Sequence, residues 1–409
     1  SRMARAGRKV CLLERGKEKI PGEYPNTTHQ ALEEIQVNRM NFHGSQHARS
    51  ALYDFRVNKQ MNVFLGCGLG GTSLVNANVS LKADRWVFDD PHWPAQLVAD
   101  YETTVADGYR RAEEMLKPEP YPVDFPKLNK LLAHEKSGAA MGEKFYRPPI
   151  NVTFKSGINH VGVEQEACNG CGDCVTGCNF KAKNTLLMNY LPDAHNHGAE
   201  IFTQAEVAWI SKGSDGKWVV HFHALQTGRE TFNAPLLSVR ADVVVLGAGA
   251  LGSTEILFRS KEHGLQVSPR LGRRFTGNGD VLAFSYNSDD EINGVGFGDH
   301  DPEGRDPVGP CISGIIDMRG PERGEQGLVI EEGSIPGALA SVLPSALAVA
   351  AAATGTRTDI GALDRAQELG RQALSLVPFI GPYQGAVRNT QTFLVMTHDD
   401  SEAIMEMKN

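Results

Sequence analysis

The residues with the clearest chemical potential are Cys168, Cys171, Cys174 and Cys178, which stand in CNGCGDCVTGCNFKAKNT at the spacing C-x2-C-x2-C-x3-C. Ferredoxin loops use this spacing to wrap an iron–sulfur cluster. Four soft thiolates suit a 4Fe-4S cubane, and Lys181 and Lys183 could offset part of its negative charge. In two-cluster ferredoxins the fourth cysteine serves the other cluster and a proline follows it. Here Asn179 follows and the sequence has no second run, so a single cluster would use Cys178 itself or recruit a distant thiol such as Cys311. Zinc is a further alternative, although the two CxxC-like pairs lie unusually close together. The preferred reading is a glycine-rich structural turn with buried thiols that leads into a helix at NTLLMNYLPDA, with the cluster and then zinc as open alternatives.

A second chemistry is written in glycines. SRMARAGRKVCLLERG reads as a helix, a stop at Gly7 and a short apolar strand that ends in Glu14. An acid at the tip of such a strand is the second half of a dinucleotide-binding βαβ unit, where the carboxylate accepts ribose hydroxyls. In NVFLGCGLGGTSLVNANV, a strand runs into Gly66, Gly68, Gly70 and Gly71 and then into a helix-compatible segment. Such glycines let the backbone approach a bulky charged ligand, and the amides that follow can bind pyrophosphate oxygens. ADVVVLGAGALGSTEILFRS repeats the pattern: VVVL reads as a buried strand, GAGALG as the turn and STEILFRS as an amphipathic helix.

The elements that must position these residues belong to a sizeable molecule. The chain has 409 residues, 41% of them hydrophobic, enough for two or three domains. With 41 basic against 49 acidic residues, it offers no basic stripe for nucleic acid. Four of the seven cysteines lie in one loop and the other three, Cys11, Cys67 and Cys311, are scattered. This pattern points to a reducing compartment rather than a secreted disulfide framework. The first residue is Ser1 and no signal-peptide pattern follows, so the expectation is a fragment whose glycine turn lies upstream and whose location is cytoplasmic or peripheral to a membrane.

The order ARAGRKVCLLERG, GCGLGGTSLVNANV, the cysteine loop ending in GCNFKAKNT, VVVLGAGALGSTEILFRS and LGRRFTGNGDVLAFS resembles the glucose–methanol–choline (GMC) oxidoreductases, and among them the cholesterol oxidase-like branch. The resemblance implies an α/β fold, with a discontinuous Rossmann-like FAD-binding domain at 1–85 and 163–285. A mixed α+β substrate or cap domain would occupy 86–162 and 286–409. It assigns Glu14 to the adenosine ribose of FAD. Gly68, Gly70, Gly71, Thr72 and Ser73 go to the pyrophosphate and the approach to the flavin, and Asn76, Ala77 and Asn78 lie beside the reactive edge of the ring. Val207 falls where the family's backbone meets the adenine, Gly247 and Gly249 pack close to the nucleotide, and Asn278 and Asp280 return the chain to the flavin.

The family's catalytic histidine motif has no counterpart here, so the base is expected beyond Asn409. His398, beside Asp399 and Asp400, reads as a surface residue. From 333 to 356 the chain runs 24 residues without a charge, interrupted by Pro336 and Pro344, and a second uncharged stretch follows at 372–387. Around an amphipathic TDIGALDRAQELGR these stretches could wall a greasy cavity or dip into a membrane surface. The function implied is oxidation of the hydroxyl of a bulky apolar alcohol, a sterol or long-chain alcohol, by hydride transfer to flavin, with oxygen or another carrier as acceptor. The alternative is a flavin and iron–sulfur electron-transfer protein.

Overall fold

A computed structural model describes residues 1–38, 40–41, 49–226, 234–320, 322–355, 361–377 and 381–407. The fold is mixed α/β. The helix Arg2–Arg5 ends before Gly7, whose φ of 71° lets the chain reverse, and the strand Cys11–Leu13 follows. That strand runs parallel to Glu200–Phe202 in the register Cys11↔Glu200 to Leu13↔Phe202, and the Glu14 N–H continues the ladder to the Phe202 carbonyl at 2.8 Å. Ile35–Val37, Tyr53–Arg56 and Val63–Gly66 form a neighbouring sheet, which Arg15 fastens to this segment through Asp54 at 2.6 Å.

A three-stranded antiparallel sheet of Ala205–Lys212, Trp218–Ala224 and Leu237–Ala241 carries the helix Gly249–Glu262. Ile210, Val220 and Ile256 form their common core, with Leu13, Val207, Val244 and Leu246 packed around it. The expected buried strand at VVVL is not one. Residues 243–247 make no strand pairing, and Val243 and Val245 are 68% and 83% exposed. Only the alternate residues Val244 and Leu246 reach the core, so one side of this extended segment is packed and the other is bare. The glycine turn after Val63–Gly66 likewise leads into the short 3-10 helix Gly71–Leu74 rather than a long helix.

The second half is built on a five-stranded antiparallel sheet in the order Val281–Ser285, Gln391–Thr397, Leu328–Gly333, Ile315–Asp317, Lys144–Tyr146. Its first strand is one that the sequence placed in the cofactor-binding part. The helix Asn129–Met141 covers one face of the sheet: Gly138 lies against Ile316 and Phe145, too close for a Cβ without the neighbours shifting. On that face Lys130 and Glu332 are fully buried and paired. The Lys130 ammonium also donates to Cys311 O at 3.1 Å, and the Glu332 carboxylate accepts from the N–H groups of Ser313 at 2.6 Å and Gly314 at 3.0 Å. A buried ion pair is tolerated when its remaining lone pairs and protons find partners in this way. The opposite face, carrying Ile315, Val329, Tyr146 and Leu394, packs against Ala77, Val79 and Leu81.

The apolar tail folds as the 3-10 segment Gly337–Val342 and the helices Leu343–Thr354 and Ala362–Ser375. Residues Gly337–Thr354 are long and apolar enough to cross a membrane by length and composition, and 28% of them are buried. Leu363, Leu369 and Leu376 stand largely exposed nearby.

Candidate cofactor and substrate site

Glu14 lies where the parallel strand ends, and its carboxylate accepts the Gly16 N–H at 2.7 Å. Burial pushes its pKa up, partly offset by that hydrogen bond and by Arg15. Its segment runs directly against the glycine turn. A Cβ on Gly16 would stand 2.5 Å from Gly68 Cα, and the Leu69 N–H donates to Lys17 O at 2.9 Å. Gly70 and Gly71 have φ of 116° and 57°, which favours glycine at both, and a Cβ on Gly71 would meet nothing within 4 Å. The turn therefore presents bare backbone to open space next to a strand-end acid.

Thr72 and Ser73 use their hydroxyls to hold this turn. Thr72 Oγ1 accepts from Gly66 N at 3.2 Å. Ser73 Oγ donates to Gly70 O at 2.6 Å and accepts from Leu186 N at 3.1 Å. The chain then passes Asn76 and Ala77 to Asn78, a non-glycine residue at φ 77° and 1% exposed, whose side-chain oxygen and nitrogen are both buried without a partner. Buried polar groups of this kind are rare and costly, and strained backbone persists where function needs it.

Behind this segment sits the cysteine loop. Lys183, fully buried, donates to Leu74 O at 3.0 Å, Asn76 O at 2.7 Å and Cys174 O at 3.0 Å, so one ammonium ties the loop to the turn. Burial lowers its pKa to about 8. Asp173 anchors the loop on the other side by accepting from Gly298 N at 2.9 Å and Gly337 N at 2.7 Å. Asn179 clamps Gly22 and Tyr24 through its amide. The four cysteines border one small cavity, and burial pushes the thiols of Cys168, Cys171 and Cys178 up. Among the described residues no three His, Cys, Asp or Glu side chains converge on a point that could hold a metal ion. The geometry gives support to neither the cluster nor zinc.

Val207 lies on the strand Ala205–Lys212 next to the Glu14 segment, where Ala205 N donates to Glu14 O at 2.8 Å, and its carbonyl accepts from Arg259 Nη2 at 3.1 Å. Gly247 and Gly249 are open, with nothing within 4 Å of a Cβ on either. Asn278, at φ 57°, turns the chain into Val281–Ser285 and accepts the Thr397 N–H at 3.1 Å. Asp280 follows, and burial together with the nearby Asp399 raises its pKa. The turn touches Met61 through Gly277, ahead of the strand Val63–Gly66. His398 is exposed, its ring 5.7 Å from that of Trp86.

The sequence profile of GMC oxidoreductase matches residues 20–277. The chain belongs to the GMC oxidoreductase family. Among curated proteins it is 27% identical to a cholesterol oxidase of Mycobacterium tuberculosis over 294 residues, 66% of this chain and 47% of that protein. It is 28% identical to a cholesterol oxidase of Acinetobacter baumannii over 281 residues, 61% and 49% of the two chains. It is 25% identical to a long-chain-alcohol oxidase of Arabidopsis thaliana over 313 residues, 74% and 37%. The chain spans about half the length of the cholesterol oxidases it matches.

GMC oxidoreductases bind FAD, and the residues of this chain fit that group. The open backbone at Gly71, Gly247 and Gly249 leaves room that side chains would fill, and the buried unpartnered amide of Asn78 awaits a hydrogen-bonding partner. Residues that the sequence did not single out are Lys183 as a tie, Asp173, and the successive acids Glu331 and Glu332 on the strand Leu328–Gly333. Only the alternation of a strand reveals that the last two point to opposite faces.

Proposed function

We propose that the chain is the FAD-binding and substrate-facing part of an alcohol oxidoreductase whose substrate is a bulky apolar alcohol, a sterol or long-chain alcohol. The observation that carries this is the close packing of the Glu14 segment on the glycine turn 68–71, which is open at Gly71, beside Asn78 with its left-handed backbone and unpartnered amide. FAD, when bound, supplies the hydride acceptor. Glu14 holds the ribose, and the bare backbone at Gly71 admits the pyrophosphate. Lys183 fixes the carbonyls of Leu74 and Asn76, so that Asn76 to Asn78 keep their orientation toward the reacting centre. Val207, Gly247, Gly249, Asn278 and Asp280 complete the cofactor contacts.

In this reading 1–85 and 163–285 form the Rossmann-like cofactor domain, and 86–162 with 286–409 form the cap. The strand Val281–Ser285 is the passage between them. Oxygen or another carrier reoxidises the cofactor. The apolar residues exposed along 339–349 and 363–377 form the wall of a greasy cavity or a peripheral contact with a membrane, on a protein that is cytoplasmic or membrane-peripheral. Substrate names printed for the relatives, cholesterol and long-chain alcohols, support the apolar class. The test is anaerobic mixing of the FAD-loaded full-length protein with cholesterol, 1-dodecanol and glucose. Bleaching of the flavin by the first two and not by glucose is expected. Bleaching by glucose alone overturns the substrate class, and bleaching by none overturns the reading.

The electron-transfer alternative needs a cluster in the cysteine loop. Flavin oxidation of an alcohol is complete without a one-electron relay, and the loop already has structural work to do through Lys183, Asp173 and Asn179.

A further inference from the structure

A cavity of about 210 Å³ lies beside the segment 184–189, and none of the foregoing uses it. That segment meets the glycine turn through Leu186, whose N–H donates to Ser73 Oγ, whereas Asn184, Met188 and Asn189 line the cavity. The other walls are the end of the helix Ala106–Leu116, with Lys117 and Glu119 just beyond it, and the hairpin 157–165. A water takes about 30 Å³ in the liquid and protein interiors pack more densely, so a ligand of roughly seven to ten non-hydrogen atoms fits.

One wall is a fixed amide network. Asn159 Oδ1 accepts the N–H groups of Val161 and Val163 at 3.0 Å, and its Nδ2 donates to Gln165 Oε1 at 2.9 Å and Met188 O at 2.7 Å. Gln165 Nε2 continues to Asn184 Oδ1 at 2.9 Å and Lys181 O at 3.1 Å. Gln165, Asn184 and Asn189 are buried, and a connected network of this kind holds its wall rigid. Met115 and Met188, also buried, add an apolar thioether surface.

The charges of the lining are not used by the fold. Among the described residues the Lys117 ammonium makes no hydrogen bond or ion pair, and the Glu119 carboxylate has only the Phe154 N–H at 3.4 Å. Lys117 closes its helix at φ 49°, a left-handed conformation that usually falls to glycine. A lysine kept in such a position points to work for its side chain. Its charge reaches His160, whose Nε2 lies 3.4 Å from Met115 Sδ: burial lowers the His160 pKa, and Lys117 and Arg5 lower it further. Arg5 is engaged by Asp193 at 2.8 Å, which leaves Lys117 as the cation open to a ligand.

We propose that this cavity binds a small zwitterion of the α-amino-acid class, with its carboxylate on Lys117, its ammonium on Glu119 and an aliphatic side chain on Met115 and Met188. A simple anion would leave Glu119 without a counter-charge and a simple cation would leave Lys117 without one, whereas a zwitterion answers both. The inference goes beyond the alcohol reading and does not depend on it.

The test is equilibrium dialysis of radiolabelled L-leucine against FAD-loaded full-length protein, with 4-methylpentanoate and 3-methylbutylamine as competitors. Leucine should bind at up to millimolar concentration. Each competitor lacks one of its charges and should bind at least about tenfold more weakly, the scale of one lost hydrogen bond to a charged group. Lys117→Met and Glu119→Gln should each weaken leucine by a similar factor while keeping the flavin content and the rate of flavin reduction by 1-dodecanol. No binding of leucine, a competitor as tight as leucine, or unchanged leucine affinity in either variant overturns the inference. Loss of flavin together with leucine in the variants assigns the two side chains to the fold and overturns it as well. Should a variant fail to fold, the wild-type affinities for leucine and the two competitors decide.

Discussion

Lys183 and Glu331 are both buried, the first with three carbonyl partners and the second with a carboxylate oxygen that has none. Lys183 satisfies three carbonyls from two segments, so replacing it with methionine leaves Leu74, Asn76 and Cys174 without their donor. Each abandoned buried acceptor costs about 1–3 kcal/mol. Lys183→Met should therefore loosen the Asn76–Asn78 segment and lower thermal stability markedly, measurable as a fall in Tm together with weakened FAD retention. An unchanged Tm would show that Lys183 does not tie the two segments.

Glu331 contributes a pH dependence of definite sign. Its folded-state pKa, about 7, lies above the ordinary 4.5, so between those values the folded protein holds a proton that the unfolded chain has released. Stability from this group is thus present below pH 4.5 and lost as pH rises through about 7. The gap corresponds to about 3 kcal/mol. Denaturation of Glu331→Gln against wild type should show the variant gaining on the wild type from pH 4.5 to 8, by at most about that amount. A constant difference across the range would contradict the buried-carboxyl account.

At the scale of elements, the cysteine loop shows how a metal-like spacing can serve packing. Gly177, at φ 112°, lies so tightly under the ring of Tyr24 that a Cβ would overlap it. Gly172 lies close under Val308, and Asp173 and Asn179 fasten both flanks. Cys171→Ser should cost about 1 kcal/mol, the ordinary size of a point-mutant effect, and leave flavin content intact. Iron and acid-labile sulfide should stay far below the flavin content in protein purified without oxygen. Gly177→Val should be much worse than Cys171→Ser, because it needs the ring to move and the backbone to leave its left-handed conformation. About four irons and four sulfides per FAD would instead make the loop a cluster site and restore the electron-transfer alternative.

Local patterns told much of this in advance. The strand ending at Glu14, the strand Val63–Gly66 and the glycine turn behind it are dictated by short-range apolar runs and by residues that alone tolerate φ above zero. The segment VVVL failed because an apolar run specifies extended backbone but not a neighbour to pair with, and Val243 and Val245 have none among the described residues. Lys183 and Glu331 were illegible for another reason. Lys183 depends on contacts with Leu74 and Asn76, 109 and 107 positions away, and Glu331 on its register between two other strands, and no spacing in the sequence encodes either.

In the molecule as a whole, the five-stranded sheet has one face covered by the helix Asn129–Met141 and the other packed against Ala77, Val79 and Leu81. The exposed apolar residues at 339–349 and 363–377 belong to this scale too. If it contacts membranes, the protein should co-sediment with phospholipid vesicles, and Leu363→Glu with Leu369→Glu should abolish this while preserving flavin content. Retention of vesicle binding in that double variant would remove the helix Ala362–Ser375 from the contact.

The central claim is that the Glu14 segment and the glycine turn at 68–71 form the seat of FAD, and flavin stoichiometry tests it most directly. Wild-type protein titrated with FAD should bind one equivalent per chain. Gly71→Val should keep the same far-ultraviolet circular dichroism and bind little, because Gly71 faces open space that a cofactor would fill and sits at φ 57°. One FAD bound equally by both proteins, or none bound by the wild type, would contradict the account.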